Sequence, residues 1–181
     1  MTQITLILPG YGNSGPGHWQ SLWQNADSSM VRISGQNWDN ATCEQWVLNL
    51  EATLKQLGPE TIIVAHSLGC LQVAHWALSS STLIKAALLV AVPEPSVVEV
   101  PGMATGFDPL PLRRFAFPSI VVASTDDPYS SSSYAKRSAD AWGSQFVEIG
   151  NRGHINGESG LSNWDEGRRL LDQLKNETST I

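Results

Sequence analysis

Short apolar runs rich in β-branched residues recur along the chain at 4–8, 30–33, 61–65, 85–91, 118–123 and 145–149. The central ones, Ile62-Ile63-Val64 above all, are uninterrupted, as parallel strands covered on both faces should be. Between them, 18–27, 40–57, 68–78, 131–142 and 163–174 read as helices. In 40–57 the stripe is Trp46, Val47, Leu50, Leu54 and Leu57, with Glu44, Glu51 and Lys55 away from it, and Gly58-Pro59 ends the segment. In 68–78, Leu71, Ala74, Ala77 and Leu78 keep the same spacing. Strand and helix alternate throughout, which predicts an α/β class: a parallel sheet with helices on both faces and ligands outside the carboxyl ends of the strands. Only 92–117, with its prolines and scattered apolar residues, resists assignment, and a short lid or substrate-facing loop would lie there.

Composition narrows the function classes. A chain of 181 residues with 41% hydrophobic and 15% charged residues is expected to form one domain over 1–181 with a single core. The net charge is −6, and no basic cluster is longer than Arg113-Arg114 or Arg168-Arg169, so nucleic acid and anionic membrane are poor partners. The first residues lack a basic segment followed by a long apolar one, and no apolar run approaches a membrane span, so a soluble, cytoplasmic protein is expected. Cys43 and Cys70 are far apart, which argues against a disulfide framework or a zinc site, and no other metal or cofactor is expected.

The chemistry concentrates at strand ends. The run 61–65 stops at His66-Ser67-Leu68-Gly69, where a strand turns sharply into a helix with Ser67 at the bend. The pattern approaches G-x-S-x-G, with Ala65 in place of the first glycine and Gly69 as the second. A plain helix cap is the alternative use of this serine. After the first strand, Gly10 to Gly15 satisfies G-x-G-x-x-G, but the acid a dinucleotide fold places after its second strand is missing, the first one downstream being Asp39. The same glycines could instead bring the backbone N–H of Tyr11 beside that of Leu68, as two donors toward a developing oxyanion. Trp19, Trp23, Trp38 and Trp46 read mainly as packing, although indoles also wall substrate sites.

Two further strand ends carry Asp126-Asp127 and His154, giving the chain order Ser, Asp, His. His66 adjoins the serine and would point away from it at a sharp bend, and His75 lies two turns into the next helix; both are weak competitors for a base. His18 could line a pocket, cap a helix or pack on Trp19. The sequence does not choose between Asp126 and Asp127, although Pro128 restricts Asp127 to extended backbone.

Leu8-Pro9-Gly10 with Gly12 and Ser14, His18-Trp19, His66-Ser67-Leu68-Gly69, the run from Ser124 to Tyr129 and Gly153-His154 together resemble the small serine hydrolases of α/β-hydrolase fold that include retinoblastoma-binding serine hydrolases and bacterial relatives. The resemblance spans nearly the whole chain. It implies a compact three-layer α/β/α sandwich with a mainly parallel six-stranded sheet, strand order about 2-1-3-4-5-6, and no large cap domain. It further implies Ser67 as nucleophile, His154 as base and Asp127 as acid. Tyr11 and Leu68 are the expected oxyanion donors, and His18 and Trp19 are expected near a small acyl substrate. Ester or related acyl hydrolysis is the expected activity. An interaction module that keeps the scaffold without meaningful catalysis, and so has a protein partner, is the alternative.

Overall fold

The computed structural model describes residues 3–99 and 102–178, and in them each of the six apolar runs is a strand. In chain order the elements are β1 (Thr5–Leu8), α1 (Trp19–Ala26), β2 (Met30–Arg32), β3 (Ala41–Thr42), α2 (Cys43–Leu57), β4 (Ile62–His66), α3 (Leu68–Ser79), β5 (Ala86–Val90), α4 (Pro95–Val98), β6 (Ala104–Thr105), β7 (Ser119–Ala123), α5 (Ser132–Trp142), β8 (Gln145–Glu148), a 3-10 turn at Gly157–Ser159 and α6 (Asp165–Glu177).

The main sheet is parallel, in the order β2-β1-β4-β5-β7-β8. Counting only its own six strands, this is the 2-1-3-4-5-6 order that the sequence led us to expect. The two-residue period of the strands divides their side chains cleanly between two cores. Leu6, Leu8, Ile63, Ala65 and Leu89 pack with Trp46, Leu50, Leu71 and Trp142, that is, with α2, α3 and α5. Ile7, Ile62, Val64, Leu88 and Val122 pack with Trp19, Trp23, Trp164 and Leu171, from α1, α6 and the turn before α6. Three layers result, and every central strand is apolar on both sides because both sides are covered.

The sequence pattern misses a short two-stranded ribbon. Ala41–Thr42, expected to open the long helix, pairs with Ala104–Thr105 in a separate parallel ribbon, so the helix begins at Cys43. The pairing is extended by Ala41 N–H, which donates to the Met103 carbonyl at 2.7 Å. A tertiary contact thus outweighs local helical preference, and it ties part of 92–117 to the sheet's carboxyl edge; residues 100 and 101 of that segment lie outside the described residues. Within the same segment the Glu99 carboxylate accepts from Phe107 N–H at 2.7 Å, and the Phe107 ring is fully buried. Among the described residues no helix is long and apolar enough to cross a membrane.

Strand order reverses between β1 and β4, since the chain leaves β1 toward β2 on one side and β4 toward β5 on the other. Loops leaving such neighbours diverge and open a crevice at their carboxyl ends. The loop from Pro9 to Gly17 and the bend at Ser67 leave from these two strands.

Candidate active site

Ser67 sits between β4 and α3 with φ 53° and ψ −124°, a conformation that a residue with a side chain adopts only under constraint. Ser67 N–H donates to the Val90 carbonyl at 2.9 Å, and its own carbonyl accepts from Cys70 N–H at 2.8 Å, so the bend is held on both sides. Gly69 is required by close approach: a Cβ there would lie 2.6 Å from the Leu8 carbonyl oxygen and 2.9 Å from that of Pro9. Ala65, in the place of the first glycine of the motif, meets no such obstacle, and its methyl group is buried in the α2–α3 core. The serine hydroxyl makes no capping bond to α3. It lies instead 2.8 Å from Nε2 of His154.

His154 follows β8 in a tight loop. Its Nδ1–H faces both oxygens of Asp127 at 2.9 Å, which leaves the Nε2 lone pair for the serine hydroxyl. Asp127 also accepts from Tyr129 N–H at 2.9 Å. Asp126 turns elsewhere: it accepts from the Ser124 hydroxyl and from Gly153 N–H, both at 2.7 Å, and so braces the loop one residue before His154. Those bonds, the Ser124 hydroxyl first, hold its carboxyl below the usual aspartate range. The two adjacent carboxylates therefore have different tasks.

Three imidazoles adjoin. The His66 and His154 rings are 4.9 Å apart and those of His18 and His66 4.7 Å apart. His66 is engaged elsewhere than the serine hydroxyl: its Nε2–H donates to the His154 carbonyl at 2.9 Å. Burial, then the neighbouring His154 and His18, keeps His66 far below the ordinary histidine range. His18 caps α1, its Nδ1 accepting from Gln20 N–H at 3.2 Å, and burial, then Arg32 and His154, lowers it to about 4. His75 is occupied by the Phe107 carbonyl at 2.8 Å.

The glycine-rich loop is packed by its own chain. A Cβ on Gly10 would lie 2.9 Å from Ser67 Cβ and 3.3 Å from Leu68 N, so β1 delivers its loop directly against the bend. Among the described residues none accepts a hydrogen bond from the N–H of Tyr11 or of Leu68. Arg32, at the end of β2 where a dinucleotide fold needs an acid, donates to Asn13 Oδ1, the Ser14 carbonyl and the Ser21 hydroxyl at 2.7, 2.9 and 2.7 Å. Gln20, fully buried, donates to the carbonyls of Leu8 and Val64 at 3.2 and 3.1 Å and so ties β1 to β4 beneath the loop.

A strained serine on a strand-to-helix bend, in line with a histidine and a carboxylate, is the arrangement by which hydrolases of this fold are recognised. Residues 5–173 match the family described as serine hydrolase. The chain belongs to that serine hydrolase family. Among solved structures, a YdeN-like hydrolase from Pectobacterium atrosepticum is similar over 97% of this chain and 91% of its own, at 30% identity and TM-score 0.85. The ydeN gene product of B. subtilis is similar at 21% identity, with 96% and 98% of the two chains covered and TM-score 0.75. An esterase domain from Rhodothermus marinus shares the fold at 15% identity, with 96% and 87% covered and TM-score 0.72. No curated protein matches the sequence.

In this serine hydrolase a cleft of about 700 Å³ opens over Ser67 and His154. Tyr11 and His18 line it. Trp19 does not, which corrects the expectation that it faces substrate: it is 1% exposed, in the α1–α6 core, and its Nε1–H donates to the Ile155 carbonyl at 2.7 Å. An indole is large enough to be the core's main filler on that face, and its one polar atom finds its partner next to His154. Trp23 joins it there, whereas Trp46 belongs to the opposite core with Trp38 packed on it, and none of the three lines the cleft. Val97, Val98 and Met103 line the cleft from 92–117, the stretch expected to hold a substrate-facing loop, whereas the sequence did not suggest Asn156 and Glu158. The last two follow His154 within four positions, and that proximity is the one signal that could have found them. Among the described residues no group of His, Cys, Asp and Glu could hold a metal ion. Both cysteines are buried free thiols, and burial pushes Cys43 up to about 12 and Cys70 upward as well.

Proposed function

We propose that this serine hydrolase cleaves a carboxylic ester, or a closely related acyl bond, through an acyl-enzyme on Ser67, with His154 as general base and Asp127 as its orienting acid. The observation that carries the proposal is the unbroken line of hydrogen bonds from Ser67 Oγ to His154 Nε2 at 2.8 Å and from His154 Nδ1 to Asp127 at 2.9 Å. In the first step Nε2 takes the hydroxyl proton as Oγ attacks the acyl carbon. Asp127 keeps the imidazole in the required tautomer and stabilises its cation. Negative charge gathers on the former carbonyl oxygen, for which the N–H groups of Tyr11 and Leu68 are the donors. One such donor contributes roughly two to three powers of ten in rate. Nε2 then returns the proton to the leaving group, and water activated by the same nitrogen releases the acid.

Ser67→Ala is the direct test. It should abolish turnover of short aryl esters and labelling by a fluorophosphonate, with the circular dichroism spectrum unchanged. Persistent labelling or turnover would refute the assignment of the nucleophile.

A further inference from the structure

The two walls of the cleft differ in chemistry, and the sheet keeps them apart. One rises from the α2–α3 side. Val98 packs onto that core, while Val97 and Met103 are 46% and 38% exposed at the cleft. This wall is fixed rather than draped, since the Met103 carbonyl is held by Ala41 N–H at 2.7 Å. The other wall rises from the α1–α6 side, where Ile155 is buried and the next residues, Asn156 to Glu158, turn up into the cleft. Asn156 Oδ1 accepts from Glu158 N–H at 3.0 Å and fixes that turn. Among the described residues the Glu158 carboxylate has no hydrogen-bond donor and no cation.

Chemistry decides which half of a substrate meets which wall. His154 must hand its proton to the leaving oxygen, so the leaving group has to emerge on the side of the His154 loop. The carbonyl oxygen is turned toward Tyr11 and Leu68. That leaves the acyl substituent facing Val97, Val98 and Met103.

Resting on the acyl-enzyme reading above, we propose that the substrate is an ester of an apolar carboxylic acid with a hydroxyl-bearing alcohol. Its acyl chain lies against Val97, Val98 and Met103, and the free hydroxyls of its alcohol bond to Glu158 and Asn156. In the reaction the bond from Ser67 Oγ to the acyl carbon forms, the bond from that carbon to the alcohol oxygen breaks, and the alcohol leaves with the proton that came from Ser67. Water then supplies the hydroxyl of the released acid and the proton that restores Ser67.

The test compares propyl hexanoate with 2,3-dihydroxypropyl hexanoate, which share the acid and the carbon skeleton of the alcohol and differ only in hydroxyl groups. The dihydroxy ester should be favoured in kcat/KM by about tenfold, the scale of one or two hydrogen bonds to a charged acceptor. In Glu158→Ala that ratio should fall toward unity. In Val97→Asn the preference for a hexanoyl over an acetyl ester of the same alcohol should shrink. Equal or reversed use of the two esters overturns the inference, as does a ratio untouched by Glu158→Ala, or labelling of Ser67 by a fluorophosphonate without turnover of either ester. Loss of both labelling and turnover in the unmodified enzyme overturns the acyl-enzyme reading itself, and the inference with it.

Discussion

Replacing Gly10 by alanine should disable the site without unfolding the protein. The added Cβ would lie 2.9 Å from Ser67 Cβ, 3.2 Å from the His66 carbonyl oxygen and 3.3 Å from Leu68 N. Each of these atoms belongs to the bend's backbone or to its first side-chain carbon, so no rotamer change relieves the contact. Reaching an ordinary separation of 3.4 Å from Ser67 Cβ requires about 0.5 Å of movement. The loop cannot swing freely, because Arg32 pins Asn13 and Ser14 and Gln20 holds the end of β1. The displacement therefore enters the gap between Tyr11 and Leu68, where the proposed mechanism puts the oxyanion. A donor misplaced on this scale should lower kcat by roughly 10- to 100-fold with KM little changed. Overpacking should cost about 1–3 kcal/mol, lowering Tm by roughly 3–10 °C. Gly15→Ala is the control, since a Cβ there meets nothing within 4 Å. Steady-state kinetics on a short aryl ester, beside a thermal melt of each variant, separates the outcomes. A folded Gly10→Ala enzyme with kcat within about twofold of the unmodified one would refute the argument.

Asp127→Asn should lower kcat by roughly four powers of ten while leaving Tm nearly unchanged, whereas Asp126→Asn should lower Tm and spare most of kcat at neutral pH; kinetics and melts of the pair read this, and an interchange of the two phenotypes would show that the carboxylates have been assigned the wrong way round. The burial of His18 should appear as acid sensitivity. Its pKa is 6.5 in an unconstrained setting and about 4 here, so below pH 6.5 the unfolded chain binds a proton that the folded one refuses. Stability should therefore decline as pH falls from 6.5 to about 4, by up to roughly 3 kcal/mol from this residue. His18→Asn, which keeps a helix-capping side chain, should flatten the decline in urea melts taken across that range, leaving the part contributed by His66. An unchanged slope would count against the burial argument.

The layered sheet was legible because its strands are apolar on both faces, a pattern that loops and amphipathic helices do not imitate. The β3–β6 ribbon was not, because two residues carry no period and only the facing segment makes them a strand. That a substrate-facing loop lies in 92–117 was legible, but which of its residues face the cleft was not, because Val97, Val98 and Met103 sit in a piece of chain without regular spacing, placed by the Glu99 and Ala41 bonds. Sequence could not separate Asp126 from Asp127, since the turn that sends one carboxylate to His154 and the other to Gly153 depends on where β8 returns the chain. Trp19 misled because residue type reports the size of a side chain and not the direction it takes from its helix. The positions of Ser67, Asp127 and His154 were visible for a different reason: each ends a strand, and strand ends in a parallel sheet share one edge.

The neighbouring histidines bear on how such a site can work at neutral pH. Imidazoles whose rings lie 4.7 and 4.9 Å apart cannot all carry charge without strong mutual repulsion. Burial keeps His18 and His66 neutral, and His66 has given its Nε2–H to the His154 carbonyl at 2.9 Å. Among the described residues His154 is the histidine with a carboxylate partner. On the acyl-enzyme reading proposed above, a proton leaving Ser67 has one favourable destination, His154. The bond from His66 then acts on the same residue from the other end, fixing the backbone of His154 while Asp127 fixes its ring. A histidine immediately before the serine thus serves best by being unable to take the proton, since a second basic ring at that distance would compete with the base for charge rather than share its work.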